Sequence, residues 1–312
     1  MTDALIGSTG FVGTSLSRQR GFDARLTSRT IDGAAGSRFG TLVCAAAPGS
    51  MFDANRLPER DRERIDQLIA QLDRIEAERF VLVSTIAVLD NFAAHDEATT
   101  DFETVTPYGV NRRRLEAFVA ERFPGGLIVR LPALFGEGLK KNFLFDLSNP
   151  VPSMLTAEKL ARMRAGVGTG LAALVDAGYR WDEALSIHVL DRDVLEASGR
   201  RQALEEAVAG IGMSAVLFTN PDSRFQFYDM TRLWDDIALG LAHGLPTLHL
   251  APGPLRAGDI YAALRGTAMP QGTARPHAED MRTAHAALFG GSGDYIADGE
   301  SVMAAIKAWF RP

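Results

Sequence analysis

Over the first 136 residues, short and wholly apolar runs alternate with longer amphipathic stretches. Ala4-Leu5-Ile6 opens the series and runs into Gly7-Ser8-Thr9-Gly10-Phe11-Val12-Gly13. That order predicts a buried strand, a glycine-rich turn and a helix start. Further strands are predicted at Ala24–Ser28, Thr41–Ala46, Phe80–Val83 and Leu127–Leu131. Ile65, Leu68, Ile69, Leu72 and Ile75 recur at helical spacing between charged residues, the mark of an amphipathic helix. Thr106-Pro107-Tyr108 opens another helix, with Tyr108, Arg112, Leu115 and Val119 on one face. Apolar strands joined by such helices imply an α/β fold: a Rossmann-type doubly wound parallel sheet covered on both faces.

Near Gly136 the alternation stops. The remainder reads as more helical and is punctuated by Asn149-Pro150-Val151-Pro152 and Pro252-Gly253-Pro254. The expected division is a nucleotide-binding domain of residues 1–138 plus about 224–243. A smaller, mostly helical substrate-binding lobe then takes 139–223 and 244–312. Composition changes this picture little. Hydrophobic residues make up 46% and charged residues 23%, and the net charge is −6, which excludes disorder and a strong basic field for nucleic acid or anionic membrane. Cys44 is the single cysteine, so an intramolecular disulfide is impossible, and a reducing cytoplasmic setting is expected. No apolar run approaches the ~20 residues of a membrane span. His95, His188, His243, His249, His277 and His285 show no metal-ligand spacing, so no metal is expected. Leu233, Ile237 and Leu241 beside Trp234 suggest a helix face available for a subunit interface, and a homodimer is ordinary for such a fold.

The glycine-rich turn is the first candidate for chemistry. Gly7, Gly10 and Gly13 allow the backbone to turn sharply and approach a pyrophosphate, and the helix start offers N–H groups and a positive dipole end. Gly7 to Gly13, Ser8, Thr9, Phe11 and Val12 included, are therefore expected to bind a dinucleotide, with Ala45 and Ala46 at the end of the third strand. At the end of the second strand an acid would favour NAD and an arginine NADP. Thr27-Ser28-Arg29 stands there, so Ser28 and Arg29 point to NADP, with NAD as the alternative. Asp32 is the acid if that strand runs further, and the bland reading of Arg29 is a solvated surface charge.

Four segments in order resemble the extended short-chain dehydrogenase/reductase superfamily, specifically its NAD-dependent epimerase/dehydratase family. They are Gly7–Gly13, Val83-Ser84-Thr85, Tyr108-Gly109-Val110-Asn111-Arg112, and Arg130-Leu131-Pro132-Ala133-Leu134-Phe135-Gly136. Ser223–Tyr228 is a fifth, weaker match. The resemblance is strong to residue 136 and thin between 150 and 215. It implies that Thr85 binds the reacting oxygen, that Tyr108 is general acid or base, that Leu131 contacts the cofactor, and that the residue after Pro132 packs near the nicotinamide. The family motif is Tyr-x-x-x-Lys, and this chain has Arg112 at the lysine position. Arginine shares the helix face with Tyr108 and can carry charge toward it and toward the nicotinamide ribose, but it does not readily release a proton. A fixed cation of this kind favours phenolate and would lower the Tyr108 pKa. Arg113 and Arg114 read as solvated helix charges. The family's 4,6-dehydratases carry an acidic pair after the strand-end threonine, and Ile86-Ala87 offers none, which argues against that subclass. Lys140 and Asn142 follow at the expected cleft mouth, and Arg224 matches a diphosphate-binding arginine of nucleotide-sugar members.

The expected function is NADP-dependent reduction of a keto group on a carbohydrate-like or nucleotide-sugar substrate. An NAD-dependent sugar epimerase is the runner-up. A catalytically silent NADP-binding sensor or partner protein stays open because the usual lysine is missing.

Overall fold

A computed structural model describes residues 1–310. It divides into two compact units, one of Met1–Leu139, Phe225–Leu255 and Ala278–Trp309, the other of Lys140–Arg224 and Arg256–His277 with Phe310.

The first unit is built on a six-stranded parallel sheet: β1 (Ala4–Ile6), β2 (Ala24–Leu26), β3 (Arg38–Cys44), β4 (Glu76–Thr85), β5 (Leu127–Leu131) and β6 (Thr247–His249). The strand order is β6-β5-β4-β3-β1-β2, with every pairing parallel. The expected doubly wound parallel sheet is therefore present. Because successive side chains point to opposite faces, each apolar run feeds two cores. On one face Ala4, Ile6, Leu42, Phe80, Leu82 and Ile128 pack under helices α3 (Pro58–Leu72) and α4 (Pro107–Arg122). On the other, Leu5, Val43, Val81, Val83 and Val129 meet Leu16 of α1 (Phe11–Gln19) and Leu233 and Ile237 of the helix Leu233–Ala242. The Leu233–Ile237 face read from sequence as an available interface is thus spent on the sheet.

Boundaries shift for local reasons. β2 ends at Leu26 because Thr27–Thr30 close a turn, with the Thr27 amide on Thr30 Oγ1 at 2.9 Å and the Thr30 amide on the Thr27 carbonyl at 3.0 Å. β3 starts three residues earlier than expected and stops at Cys44. The segment 244–255, expected in the lobe, supplies β6, and residues 278–309 also belong to the first unit. At three residues β6 is too short to show a period, and unlike the equally short β1 it is not followed by a glycine-rich turn that marks its end. Residues 311 and 312, the end of the expected lobe, lie outside the described residues.

Order 2-1-3 around β1 places the topological switch between β1 and β3, where open α/β sheets form their crevice. The chain there is tightly folded. Gly7 has φ +86°, and a Cβ on it would meet the Ala45 carbonyl, while one on Gly13 would run into the Gly7 carbonyl. Two of the three glycines are therefore demanded by the fold itself.

The second unit is mostly helical, with helices at Ala157–Gly166, Thr169–Gly178 and Arg201–Gly210 around a core of Val151, Met163, Val175, Tyr179, Leu195, Leu204 and Val208. A small antiparallel sheet of Met154–Leu155, Ile187–Leu190 and Tyr179–Asp182 completes it. Among the described residues, no helix is long and apolar enough to cross a membrane, and no group of three or more His, Cys, Asp or Glu is placed to hold a metal ion.

Gly13→Ala forces the α1 start away from Gly7, and the expected cost is about 1–3 kcal/mol by overpacking. Gly21, with open space around its Cβ position, is the control: Gly21→Ala should stay within about 0.5 kcal/mol. Urea denaturation of the two variants checks both.

Candidate active site

Parallel pairing brings the carboxyl ends of neighbouring strands to one edge. Ile6 pairs with Cys44, and Thr85 pairs with Leu131, so the residues that follow β1, β3, β4 and β5 emerge together. At the first pair lies the glycine turn. The Gly7 and Ser8 amides donate to the Leu26 carbonyl at 2.9 and 3.2 Å, and the Gly10 amide to the Gly7 carbonyl at 3.1 Å. Gly10 begins α1 without a side-chain cap, and the first turn carries no acid. A Cβ on Gly10 would meet only the Gly7 carbonyl, at an ordinary 3.4 Å. This middle glycine is not required by packing. An uncapped helix start of this kind could hold a phosphate.

Ser28 and Arg29 are exposed just past β2, and the Arg29 guanidinium has no carboxylate partner among the described residues. Asp32 is turned elsewhere: Gln71 Nε2 donates to its carboxylate at 3.3 Å, and Arg74 lies 3.7 Å from it. Ala45 and Ala46 follow β3 half-buried, and the Ala45 amide bonds the Ile6 carbonyl at 2.9 Å.

Thr85 ends β4 and caps the next turn, accepting the Ala87 amide at 3.2 Å. Tyr108 sits in the first turn of α4, after Thr106 and Pro107, where a fixed φ suits a helix start. Gly109 is what lets this turn press against the Ala87 carbonyl, since any Cβ there would collide with it. Asn55 Oδ1, from helix α2 (Met51–Arg56), takes the Tyr108 amide at 3.0 Å. The outcome is a Tyr108 that is 9% exposed, with its phenol beside the Thr85 side chain. The structure thus brings together the two residues that sequence marked as a pair.

Arg112 lies one turn on, its guanidinium carbon 4.0 Å from the centre of the Tyr108 ring. The fixed cation expected beside Tyr108 carries a partner of its own. Arg112 is 2% exposed; its Nη1 donates to Asp61 Oδ2 and its Nη2 to the Pro48 carbonyl, while Nε is buried without a partner. Asn111 Nδ2 donates to the same Asp61 oxygen at 2.8 Å. The expected lowering of the Tyr108 pKa is corrected: burial pushes the phenol above the ordinary tyrosine value. The Arg112 charge and the Thr85 hydrogen bond oppose that rise, and the Asp61 carboxylate adds to it. Asp61 is the residue that sequence reasoning passed over. It stands on the buried stripe of α3 with Ile65, Leu68 and Leu72, and a charge on an apolar stripe is itself a signal of a buried partner.

One residue behind the strand ends, a polar row crosses the sheet. Ser84, Arg130 and His249 are register partners on β4, β5 and β6. Glu116 of α4 closes over them, accepting Ser84 Oγ at 2.6 Å and Arg130 at 3.0 and 2.7 Å, and Arg130 Nη1 lies 3.0 Å from His249 Nε2. Glu97 accepts the His249 amide at 2.8 Å, Thr283 Oγ1 at 2.7 Å and the Ala284 amide at 2.9 Å. Arg113 and Arg114, read as solvated, pair with Glu116 and Asp66.

Lys140, Asn142 and Arg224 belong to the second unit. Lys140 and Arg224 are exposed. Asn142 caps the helix Phe143–Ser148, its Oδ1 taking the Phe145 amide at 3.2 Å, so its side chain has a folding task.

No protein-family model and no curated protein matches this chain. Solved structures do. dTDP-4-dehydrorhamnose reductase from Bacillus anthracis str. Ames in complex with NADP is 14% identical, with TM-score 0.60 over 99% of this chain and 97% of that one. UDP-N-acetylglucosamine 4-epimerase from Methanobrevibacter ruminantium M1 in complex with UDP-N-acetylmuramic acid is 9% identical, with TM-score 0.60 over 99% and 96%. RMD from Pseudomonas aeruginosa complexed with NADPH is 16% identical, with TM-score 0.57 over 99% and 98%. The likeness is one of fold.

Burial, with the Arg130 charge beside it, lowers the His249 pKa below the ordinary 6.5, against the pull of Glu97. The unfolded chain then binds this proton first, so His249 stabilises the fold above pH 6.5 and that contribution is lost as pH falls below it. His249→Gln should show a shallower loss of urea stability over that acid range than the parent.

Proposed function

We propose that the protein is an NADP-dependent oxidoreductase that reduces a keto group on a carbohydrate-like or nucleotide-sugar substrate. The observation that carries this reading is the meeting of Thr85 and Tyr108 at the carboxyl edge of the sheet, in a buried setting. A phenol and a hydroxyl side by side would offer two donors to one oxygen, which is what a carbonyl oxygen needs as it turns into an alcohol. Gly7 to Gly13 would hold the cofactor pyrophosphate at the α1 start. Ser28 and the unpaired Arg29 would take the extra phosphate that separates NADP from NAD. Ala45, Ala46 and Leu131 would flank the dinucleotide, and the buried, unpartnered Nε of Arg112 is the donor left for a ribose hydroxyl. The named relatives in fold that were solved with NADP or NADPH add support.

Bound NADPH supplies the hydride that adds to the carbonyl carbon. Thr85 then donates a hydrogen bond to the substrate oxygen and Tyr108 gives it its phenolic proton, after which water returns a proton to Tyr108. The buried environment keeps this transfer free of competing solvent.

Purified protein titrated with NADPH and NADH by fluorescence should prefer NADPH. Arg29→Asp should weaken NADPH by about ten- to a hundredfold, the worth of one or two charge-assisted contacts, and leave NADH nearly unchanged. Equal binding of the two nicotinamides, or NAD retained through purification, would overturn the cofactor assignment and favour the epimerase. On a panel of ketosugars and nucleotide ketosugars, Tyr108→Phe should lose about 10²–10⁴ in rate while still binding NADPH. A Tyr108→Phe variant as active as its parent would overturn Tyr108 as the proton donor, and no turnover by the parent on any member of the panel would leave only the cofactor-binding sensor.

A further inference from the structure

Reduction asks Tyr108 to give a proton, and the structure around its helix bears on whether it can. A lone cation beside a phenol favours the phenolate, the form that accepts a proton. Arg112 is such a cation, with its guanidinium 4.0 Å from the ring centre. It is not alone. Asp61 is 5% exposed and faces Arg112 from the neighbouring helix α3, bonded to Nη1 of that guanidinium and to Asn111 Nδ2 at 2.8 Å. Two opposite charges in contact inside the protein act on a third group as a dipole, and the field of a dipole fades faster than that of either charge.

Among the other polar neighbours of Tyr108, Thr85, Asn55, Pro48 and Glu103 are uncharged or turned away. Thr85 presents a hydroxyl from the end of β4, Asn55 presents an amide oxygen from α2, and Pro48 presents its carbonyl to Arg112. Glu103, just before α4, spends its carboxylate on the Val105 and Thr106 amides and on Thr106 Oγ1, at 2.6, 3.1 and 2.8 Å. Ala54, Ala87 and Phe92 supply the apolar remainder.

We propose that Asp61 is a positioning residue that neutralises Arg112 and so keeps Tyr108 as a protonated donor, suiting the site to reduction rather than to oxidation. The proposal rests on the reductase reading. It explains how arginine can stand where the resembled family has lysine. The guanidinium orients the ring and offers Nε inward, and the paired carboxylate cancels the charge that would otherwise pull the proton off. In the reductive step the hydride and its electron pair come from NADPH, the proton from Tyr108, and the phenolate left behind is reprotonated from water. In the oxidative direction the same site starts with its base already occupied.

The test reads ionisation and not turnover. Cofactor-free protein is titrated by ultraviolet difference absorbance of tyrosinate, and the Tyr108 share is isolated by subtracting a Tyr108→Phe partner made in each background. Asp61→Asn should give roughly ten times as much Tyr108 tyrosinate at a fixed alkaline pH. Arg112→Gln, which leaves Asp61 uncompensated, should give less than the parent. The double variant Asp61→Asn, Arg112→Gln should return close to the parent. If Asp61→Asn does not fold, the other two variants decide. No rise in Asp61→Asn overturns the proposal. So does a rise that the double variant keeps, because the pocket would then have opened instead of gaining charge, and so does tyrosinate in Arg112→Gln at or above the parent. Since no substrate or cofactor enters the measurement, a failed ketosugar panel and a failed titration are told apart.

Discussion

A parallel sheet has one edge at which all of its strands end, and nearly everything of chemical interest in this protein is fixed by that constraint. β1 and β3 end in register at Ile6 and Cys44, and the glycine turn and Ala45 follow. β4 and β5 end in register at Thr85 and Leu131. No long loop is needed to gather these residues, because the hydrogen-bond ladder has already done so. The helices then need only arrive at the correct height. α1 does so because Gly7 and Gly13 allow the backbones to touch, and α4 does so because Gly109 lies on the Ala87 carbonyl.

Charges buried on the α3–α4 face hold this arrangement together. Asp61 and Arg112 join α3 to α4, and Glu116 joins α4 to β4 and β5 through Ser84 and Arg130. Buried pairs of this sort contribute modestly as pairs, but losing one partner costs about 3–5 kcal/mol because the other charge is stranded. They therefore act more as specifiers of a single helix position than as sources of stability. Glu97 extends the same logic, holding the 281–284 segment through Thr283 Oγ1 and the Ala284 amide and tying it to β6 through the His249 amide.

The sheet was legible because its strands are apolar on both sides and because amphipathic periods separate them. β6 was not, since Thr247–His249 is too short to carry a period and its partner β5 lies more than a hundred residues away in sequence. The Thr85–Tyr108 pair was legible through the family resemblance carried by Val83-Ser84-Thr85 and Tyr108–Arg112. The state of Arg112 was not, because its partner sits fifty-one positions upstream and sequence shows no pairing across helices. A closer look at the apolar stripe of α3 would have found Asp61 on it. Asn142 shows why a polar residue ahead of Phe143 reads two ways: it suits a helix cap as well as a substrate contact, and its Oδ1 caps the helix Phe143–Ser148.

Helix α4 carries Tyr108, Arg112 and Glu116 at successive intervals of four, all buried and each committed to a different neighbour. Thr85 answers the first, Asp61 the second, and Ser84 with Arg130 the third. One residue added or removed inside this stretch would turn everything beyond it by about 100° and break several of these unions at once. The helix is in that sense a key cut at three depths. Substitutions along it should combine non-additively, and divergence in this protein's relatives should spare the length of α4 more strictly than the identity of any one of its residues.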